Sequence, residues 1–419
     1  MDTGGQTQPE QKKTELPAVE LQKKRLSWLY LGIFVVVAIG AGVLIWQAAY
    51  DAVQANVKSA NAPQPIIQTK STATPQLTTE EVVGGRDHVW EVAFLPTKEL
   101  LFTERKGDIS VIKDGKISMV AHMPDVYAVG EGGLLGLTVD PNFSQNRLIY
   151  TCYNSTQNGH DIRVVRWKLR DDLSGLDARA DIITGITANS TSFPGRHSGC
   201  RIKWGPDGVL WVGTGDAALG DTAIQPKKLG GKILRVDRDG NPAAGNVGGD
   251  YDPRIYSYGH RNVQGIAFFP KAQNGVLGVN IEHGSDVDDE VNLLVQGNFG
   301  WAPPPTLYQE NVTPMTDTKR FPSAITAIWK SGRPTQAPSG ATFLRGTQWK
   351  GWDGALAVAV LKDKHLKILQ IDNKNAVTKE DRVLSDFGRL RSAVEGPDGN
   401  LYISTDNGGN DQIIRIIPH

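Results

Sequence analysis

The chain has 419 residues, and its 45 lysines and arginines equal its 45 aspartates and glutamates in number. Because no net charge attracts polyanions, we expect no nucleic acid among its partners. The 46 glycines and 10 tryptophans are typical of an all-β protein with many tight turns. The two cysteines, Cys152 and Cys200, are too few for a disulfide-rich scaffold or a cysteine-based metal site. Whether they pair is a spatial question that the sequence leaves open.

The first predicted element is a membrane-spanning helix at residues 26–50, which contain no charged side chain. A stretch of this length crosses a bilayer as a helix, and aromatic residues near both of its ends favour the membrane interface. The basic residues upstream of it are Lys12, Lys13, Lys23, Lys24 and Arg25, and Lys58 follows it. The positive-inside rule therefore predicts a cytoplasmic tail at 1–25 and export of the remainder to the periplasmic or extracellular face.

An alternative for the same segment is a signal peptide cleaved near the small residues 60–62. The apolar region of a signal peptide is shorter, roughly 7–15 residues, so we favour a retained anchor. Residues 51–79 are rich in Ala, Gln, Thr and Pro and have no apolar period. They predict a disordered tether, because they cannot bury enough apolar surface to offset chain entropy.

From Glu80 to the C-terminus, a pattern recurs in which two apolar runs flank a short turn that usually contains proline. Its copies lie at 92–104, 137–150, 202–212, 266–277, 341–358 and 394–403. Alternating strands joined by turn residues are hairpins, and six copies predict an all-β, six-bladed β-propeller at 80–419. An irregular β-barrel is the alternative.

Polar clusters punctuate this repeat in the predicted loops. They lie at 196–199, 259–262, 282–290, 362–365 and 388–391. Each alone is typical of a surface loop or an ion pair between blades. If all lie at the same end of their blades, several cations converge on the central axis, and converging cations indicate a polyanionic ligand.

Several short motifs, in this order, resemble the soluble glucose/sorbosone dehydrogenase family of quinoproteins, especially the bacterial aldose sugar dehydrogenases. The likeness covers roughly residues 85–417. The motifs lie at 93–96, 103–105, 132–136, 205–208, 213–216, 231–235, 258–265, 282–284, 289–293, 298–301 and 337–340. Each motif alone is weak evidence for the family, but this many motifs in the same order are specific to it. The family is also six-bladed, in agreement with the repeat.

The resemblance implies roles for individual residues. His197 matches the base that removes the proton of the substrate hydroxyl, a role suited to an imidazole. Arg261 and Asn262 match residues that contact pyrroloquinoline quinone (PQQ), with Arg261 near its reactive carbonyl oxygen. Lys362, Arg389 and Arg391 match residues that hold the carboxylates of PQQ.

The resemblance further implies a calcium ion bound by the backbone carbonyls of Gly284 and Ser285 and acting as a Lewis acid on the quinone. The acidic run 288–290 supports this loop or is an ordinary surface turn. Three positions depart from the family: Glu131 replaces a frequent Gln near the expected substrate, Ser285 a proline, and Cys200 a glycine. The extra carboxylate of Glu131 is expected to change substrate choice or to raise the pKa of a neighbouring histidine.

The expected function is PQQ- and calcium-dependent oxidation of an aldose sugar, or of a related alcohol or aldehyde, by hydride transfer. Electrons then pass to an external acceptor such as a quinone, a cytochrome or a dye. One alternative is a calcium-dependent lactonase, which requires side-chain carboxylates around an axial metal. The other is a non-catalytic ectodomain that binds a glycan or a protein partner.

Overall fold

The computed structural model describes residues 47–48, 73–305 and 308–419. The predicted tail, almost all of the predicted anchor and most of the predicted tether therefore lie outside the described residues. Within the described part of the chain, no helix combines the length and apolar character needed to cross a membrane. The chain divides into two units, of which the second is Lys70–His419.

The second unit contains 25 described strands in six sheets. The first strands along the chain are β1 (Leu77–Arg86), β2 (Val89–Phe94), β3 (Leu100–Glu104), β4 (Asp108–Lys113), β5 (Lys116–His122), β6 (Leu134–Val139), β7 (Leu148–Ser155), β8 (Asp161–Leu169) and β9 (Leu176–Ile186). The next are β10 (Gly199–Trp204), β11 (Leu210–Thr214), β12 (Lys232–Val236), β13 (Ile255–Tyr258), β14 (Val263–Gln273), β15 (Val276–Glu282), β16 (Glu290–Leu293), β17 (Gly297–Asn298) and β18 (Trp329–Lys330). The last are β19 (Pro338–Phe343), β20 (Leu356–Val360), β21 (His365–Ile371), β22 (Val377–Val383), β23 (Leu390–Glu395), β24 (Leu401–Thr405) and β25 (Asp411–Pro418).

The helices of this unit are short. They are an α-helix at Phe143–Asn146 and 3-10 helices at Gln157–Gly159, Glu310–Val312, Thr347–Trp352 and Ser385–Phe387. The unit is thus built from strands and loops.

Each sheet is one blade of a six-bladed propeller, as the repeat predicts. Blades one to five are β2–β5, β6–β9, β10–β13 with β17, β14–β16 with β18, and β19–β22. The six copies of the sequence pattern correspond to the first two strands of the six blades. In the third copy, Gly208 has a φ of 72°, a left-handed conformation that favours glycine and lets the chain return from β10 into β11.

The sixth blade closes the ring with strands from both ends of the described unit. Its order is β1-β25-β24-β23, and β1 pairs antiparallel with β25 from Leu77 opposite Pro418 to Arg86 opposite Asp411. The predicted start of the propeller at Glu80 therefore falls inside a strand. Leu77 to Thr79 pair with β25 near the C-terminus, and no local sequence pattern reveals this distant partner.

The antiparallel order determines where the loops meet. The first strand of a blade begins at the face where its second strand ends. The loops preceding β6, β10, β14, β19 and β23 and those following β11, β15 and β20 therefore lie together, and we refer to them as the loop face. All of the polar clusters singled out in the sequence lie in or next to these loops.

Apolar side chains pack between neighbouring blades, and a disulfide adds a covalent link. Ile162 and Val164 of blade two belong to one buried cluster with Ile202 and Val212 of blade three. Cys152 in β7 and Cys200 in β10, both fully buried, form a disulfide with a Cα–Cα distance of 5.5 Å. The pairing that the sequence leaves open is thus present, and it anchors the start of β10 beside His197.

Candidate active site

His197 and Asp216 form a buried pair on the loop face. His197 precedes β10 and Asp216 follows β11, and the Nδ1 atom of His197 lies 2.8 Å from Oδ1 of Asp216. Burial by itself raises the pKa of Asp216, but the interactions with His197, the N–H of Trp301 and Arg261 together outweigh burial, and the pKa falls below its usual value. Because an ionised carboxylate only accepts hydrogen bonds, Nδ1 is the donor; Nε2 accepts from Nε of Arg196 and therefore carries the lone pair.

Three further donors hold the carboxylate of Asp216 in place. The indole N–H of Trp301 donates to Oδ2 at 2.7 Å, and the hydroxyl of Tyr308 donates to the same atom at 2.9 Å. The backbone N–H of Ala218 donates to Oδ1 at 2.8 Å. The orientation of the imidazole is therefore set by a carboxylate that is itself fixed by hydrogen bonds.

The Nε2 side of His197 faces an arginine and a carboxylate. Nε of Arg196 donates to Nε2 at 3.3 Å, and Oε2 of Glu310 lies 3.8 Å from the same atom. Arg196 also lines a cavity of about 350 Å³, whose other lining residues are Gly130, Glu131, Ser192, Phe193 and Pro194. A substrate hydroxyl at Nε2 would thus have open space beside it.

Arg261 is a buried cation next to this pair. Its Nη1 donates to the carbonyl of His283 at 3.1 Å and its Nη2 to Oε2 of Glu310 at 2.5 Å. Glu310 also pairs with Arg196. Burial raises the pKa of Glu310, but the charge and hydrogen bond of Arg261, together with further charges that include Arg196, outweigh burial and lower the pKa below its ordinary value. Glu310 is therefore an ionised bridge between the two arginines.

Asn262 connects Arg261's loop to two other blades. Its Oδ1 accepts hydrogen bonds from the N–H of Gly199 at 3.1 Å and from Nε2 of Gln264 at 3.0 Å. Its Nδ2 donates to Oε2 of Glu131 at 3.1 Å. Glu131 is exposed at the edge of the site, and the partner that the structure gives it is this amide. The second expectation for Glu131 is that it raises the pKa of a neighbouring histidine. Among the described residues, no contact joins Glu131 to a histidine.

Arg389 and Arg391 meet at Asp406. Nε of Arg389 donates to the carbonyl of Asp406 at 3.0 Å, while Nε of Arg391 donates to the Asp406 carboxylate at 2.9 Å. Nη1 of Arg391 donates to Gln264 at 3.0 Å. Because Gln264 also bonds Asn262, one chain of hydrogen bonds joins the Arg391 side of the site to the His197 side.

Lys362 lies apart from these residues and contacts none of them directly. Its Nζ donates to Oγ1 of Thr335 at 3.2 Å, and it lines a cavity of about 460 Å³ together with Gln336 and Arg333. Its backbone N–H donates to the carbonyl of Gln336 at 3.0 Å. Because the N–H of Gln336 bonds Asp289, which also bonds the N–H of Gly284, Gln336 connects Lys362 to the loop of Gly284.

Asp289 shapes the loop that contains Gly284 and Ser285. Its Oδ1 accepts a hydrogen bond from the N–H of Gly284 at 2.9 Å, and its Oδ2 accepts from the N–H groups of Gln336 and Ala337. A Cβ at Gly284 would approach the carbonyl of Val287 to 2.3 Å, so the loop requires glycine there. Asp289 thus supports the loop through backbone contacts, as one of the two sequence-based interpretations of the acidic run holds.

Four buried polar atoms around the axis have no hydrogen-bond partner within the described residues. They are Nε of Arg261, Nε2 of His283, Oγ of Ser285 and Oε1 of Gln336. Burial, then the charges of Arg391 and Arg261, lower the pKa of His283 well below its ordinary value, so His283 lies within reach of both cations. Buried polar groups without partners are costly, and the donor Nε of Arg261 beside the charge of Arg391 fits an anionic ligand rich in oxygen, whereas Oε1 of Gln336 needs a donor.

Some functional positions escaped sequence reasoning. Asp216, Trp301 and Gln264 lie in motifs that carried the resemblance, but nothing there assigned them a role. The position of Asp216 directly after a predicted second strand is the signal that could have identified it. Tyr308 and Glu310 lie in no motif, and only their contacts reveal them.

Comparison with known proteins agrees with this geometry. Residues 86–415 match the family model described as Glucose / Sorbosone dehydrogenase. An aldose sugar dehydrogenase of Escherichia coli is 31% identical over 369 residues, which cover 83% of this chain and 94% of that protein. The crystal structure of the soluble aldose sugar dehydrogenase from Escherichia coli in its apo-form superposes with a TM-score of 0.73 at 29% identity, covering 82% of this chain and 100% of the other.

A PQQ-bound aldose sugar dehydrogenase from Streptomyces coelicolor gives a TM-score of 0.67 at 28% identity, covering 83% of this chain and 100% of that one. The family model matches most of the chain, and these relatives align with it over a similar share of its length. The chain belongs to the glucose/sorbosone dehydrogenase family.

Proposed function

We propose that the protein oxidises an aldose sugar, or a related alcohol or aldehyde, with PQQ as the cofactor and calcium as its metal. The observation that carries the proposal is the His197–Asp216 pair, whose Nε2 lies 3.8 Å from Glu310, the carboxylate that pairs with the buried cation Arg261. A base next to a fixed positive charge is what proton removal coupled to hydride loss requires. The relative described as a PQQ-bound aldose sugar dehydrogenase supports the cofactor.

The residues around the axis fit PQQ by their chemistry. Arg261 and Asn262 would contact the quinone, and Lys362, Arg389 and Arg391 would hold its carboxylates. The unpartnered donor Nε of Arg261 would gain an acceptor oxygen. The carbonyls of Gly284 and Ser285 would hold calcium, which prefers oxygen ligands. When bound, the quinone supplies a hydride acceptor, and calcium polarises its carbonyl.

His197 removes the proton of the substrate hydroxyl at Nε2, while Asp216 stabilises the imidazolium that forms. The hydroxyl-bearing carbon loses a hydride in the same step, so an aldose oxidised at its anomeric carbon becomes a lactone. Arg261 stabilises the negative charge that develops next to it, because a preorganised cation in a buried site needs no solvent reorganisation. Electrons leave to an external acceptor, a quinone, a cytochrome or a dye.

The hydrolase alternative requires side-chain carboxylates around an axial metal. In the described part of the chain, Asp87, His88 and Asp411 are the group whose ligand atoms lie close enough to hold an ion. Asp87 and His88 link β1 to β2 and Asp411 begins β25, and both oxygens of Asp411 already accept hydrogen bonds from the protein. No observation therefore favours the lactonase. A non-catalytic ectodomain is not supported either, because His197, Asp216 and Arg261 are all present.

Binding of PQQ to the full chain tests the cofactor directly. Absorbance and calorimetric titrations should show binding that requires calcium. Arg391→Ala should weaken binding by about 1.5–3 kcal/mol, the usual loss for a charge-assisted hydrogen bond. The variant also leaves Asp406 without the hydrogen bonds from Arg391, which should lower the stability of the fold. The unfolding transition is therefore measured in parallel.

Arg235→Ala is the matched control for Arg391→Ala. Arg235 also pairs with an aspartate, Asp207, and lies over a tryptophan ring, but at the face opposite the loop face. Its removal should change stability and leave PQQ affinity unchanged. Equal PQQ affinity in Arg391→Ala and the wild type would show that Arg391 serves the fold alone.

The N-terminal segment is proposed as a retained anchor that exports the propeller. The uncharged residues 26–50 and the basic residues before them carry this proposal. The disulfide between Cys152 and Cys200 supports it, because disulfides form and persist in oxidising compartments outside the cytosol.

Full-length protein should accordingly fractionate with membranes and resist extraction by salt and alkali. The measurement is immunoblotting of the pellet and supernatant, with N-terminal sequencing of the mature chain. Mature protein that begins near Gln64 in the soluble exported fraction would identify a cleaved signal peptide instead.

A further inference from the structure

Glu310 places a second acceptor beside the lone pair of the catalytic histidine. Its Oε2 lies 3.8 Å from Nε2 of His197, and its side chain keeps 21% exposure, so it is not closed off from solvent. Neighbouring hydroxyl groups on adjacent carbons are also a few ångströms apart. Two acceptors at this separation can therefore each receive a hydrogen bond from one of two adjacent hydroxyls.

The carboxylate is held in a defined position and state. Arg196 pairs with its Oε1 and Arg261 with its Oε2, so both oxygens are fixed from the protein side. An ionised carboxylate has about four acceptor positions, so a bond to each arginine leaves capacity for a substrate hydroxyl. Burial opposes the ionisation of Glu310, but the charge and hydrogen bond of Arg261, together with further charges that include Arg196, keep it ionised, since its pKa lies below the ordinary value.

Space for the remainder of a sugar adjoins these acceptors. Arg196 bonds both Nε2 of His197 and Glu310, and it lines the cavity of about 350 Å³ together with Phe193. Phe193 exposes 42% of its surface there, which offers a flat apolar face to a sugar ring. The geometry thus combines two adjacent acceptors with an open, partly aromatic pocket.

We propose that Glu310 is a specificity-determining residue that accepts a hydrogen bond from the hydroxyl next to the one deprotonated by His197. The substrate class is then the vicinal diol, a cyclic aldose with a free hydroxyl on the carbon beside the oxidised one. This inference rests on the proposed sugar oxidation and names its substrate class. A purely structural role, as counter-ion of Arg196 and Arg261, would affect all substrates alike.

The test compares D-glucose with 2-deoxy-D-glucose, which lacks only the neighbouring hydroxyl. The full chain loaded with PQQ and calcium is assayed for kcat/KM with both sugars, in the wild type and in Glu310→Gln and Glu310→Ala. The wild type should prefer glucose about 10- to 100-fold, the range of one charge-assisted hydrogen bond. The preference should fall to within about 3-fold in Glu310→Ala and be intermediate in Glu310→Gln, whose amide is a neutral acceptor.

Glu395→Gln is the matched control. Glu395 is also a carboxylate paired with an arginine, at 3.3 Å from Arg345, and its side chain is 20% exposed, but it lies at the opposite end of its blade. This variant should keep the wild-type preference. A Glu310→Ala enzyme that loses activity on both sugars equally, so that their ratio stays at the wild-type value, would overturn the proposal.

Calorimetric titration of the cofactor-free full chain with the same sugars separates this inference from the proposed oxidation. The wild type should bind glucose more tightly than 2-deoxyglucose, and Glu310→Ala should bind both alike. If the loaded wild type oxidises neither sugar, the proposed oxidation fails, and the binding ratio still decides the role of Glu310. Equal binding of both sugars by the wild type would contradict the inference even if both were oxidised.

Discussion

Replacing His197 by alanine should lower turnover by about 10²–10⁴-fold, the usual contribution of a positioned general base. The reason is the geometry of its ring, whose Nδ1 is committed to Asp216 and whose Nε2 lone pair lies next to Arg196, a residue that lines the pocket. The loss should occur in the half-reaction in which sugar reduces the bound quinone, and stopped-flow absorbance measures the rate of this half-reaction. Binding of PQQ should stay near the wild-type value, because the proposed cofactor contacts come from other residues.

Reoxidation by a dye provides the internal control, since it does not use this proton transfer and should proceed at the wild-type rate. A His197→Ala enzyme that reduces its quinone as fast as the wild type would remove His197 from the mechanism. Glu131 would then be the first candidate base. It lies at the same pocket and carries one hydrogen bond, from Asn262.

Replacing Asp216 by asparagine should lower kcat by up to about 10⁴-fold, as when the aspartate that orients a catalytic histidine becomes an amide. An asparagine can donate to Nδ1, which would leave the proton on Nε2 and remove the base. KM and PQQ affinity should change little, because the hydrogen bonds of the Asp216 carboxylate go to His197, Trp301, Tyr308 and Ala218, none of which is a proposed cofactor contact. Steady-state kinetics with a saturating sugar measure the effect.

Tyr308→Phe is the control for Asp216→Asn. It removes one hydrogen bond to the Asp216 carboxylate and keeps the charge, so its loss should be far smaller. Thermal unfolding of both variants shows whether the buried site still folds. An Asp216→Asn enzyme within a few-fold of wild-type kcat would mean that the carboxylate does not set the tautomer of His197.

The propeller was predictable because its signals are local. Two alternating runs around a turn such as 205–208 specify a hairpin within about a dozen residues, and six copies specify six blades. The common face of the polar clusters follows from antiparallel order alone. Residues 26–50 are equally local, and the membrane anchor that they predict remains a prediction.

Contacts between distant parts of the chain decided the rest. Ring closure pairs Leu77 with Pro418, and the disulfide joins Cys152 to Cys200 across two blades. Tyr308 reaches His197 from 111 residues away, and Glu310 comes from the same segment. The sequence by itself determined which strands form and which polar clusters, His197 among them, stand on the loop face, because short-range alternation and motif order carry that information. Only the tertiary structure decided which carboxylates surround His197, because loops of different blades meet through the closure of the ring.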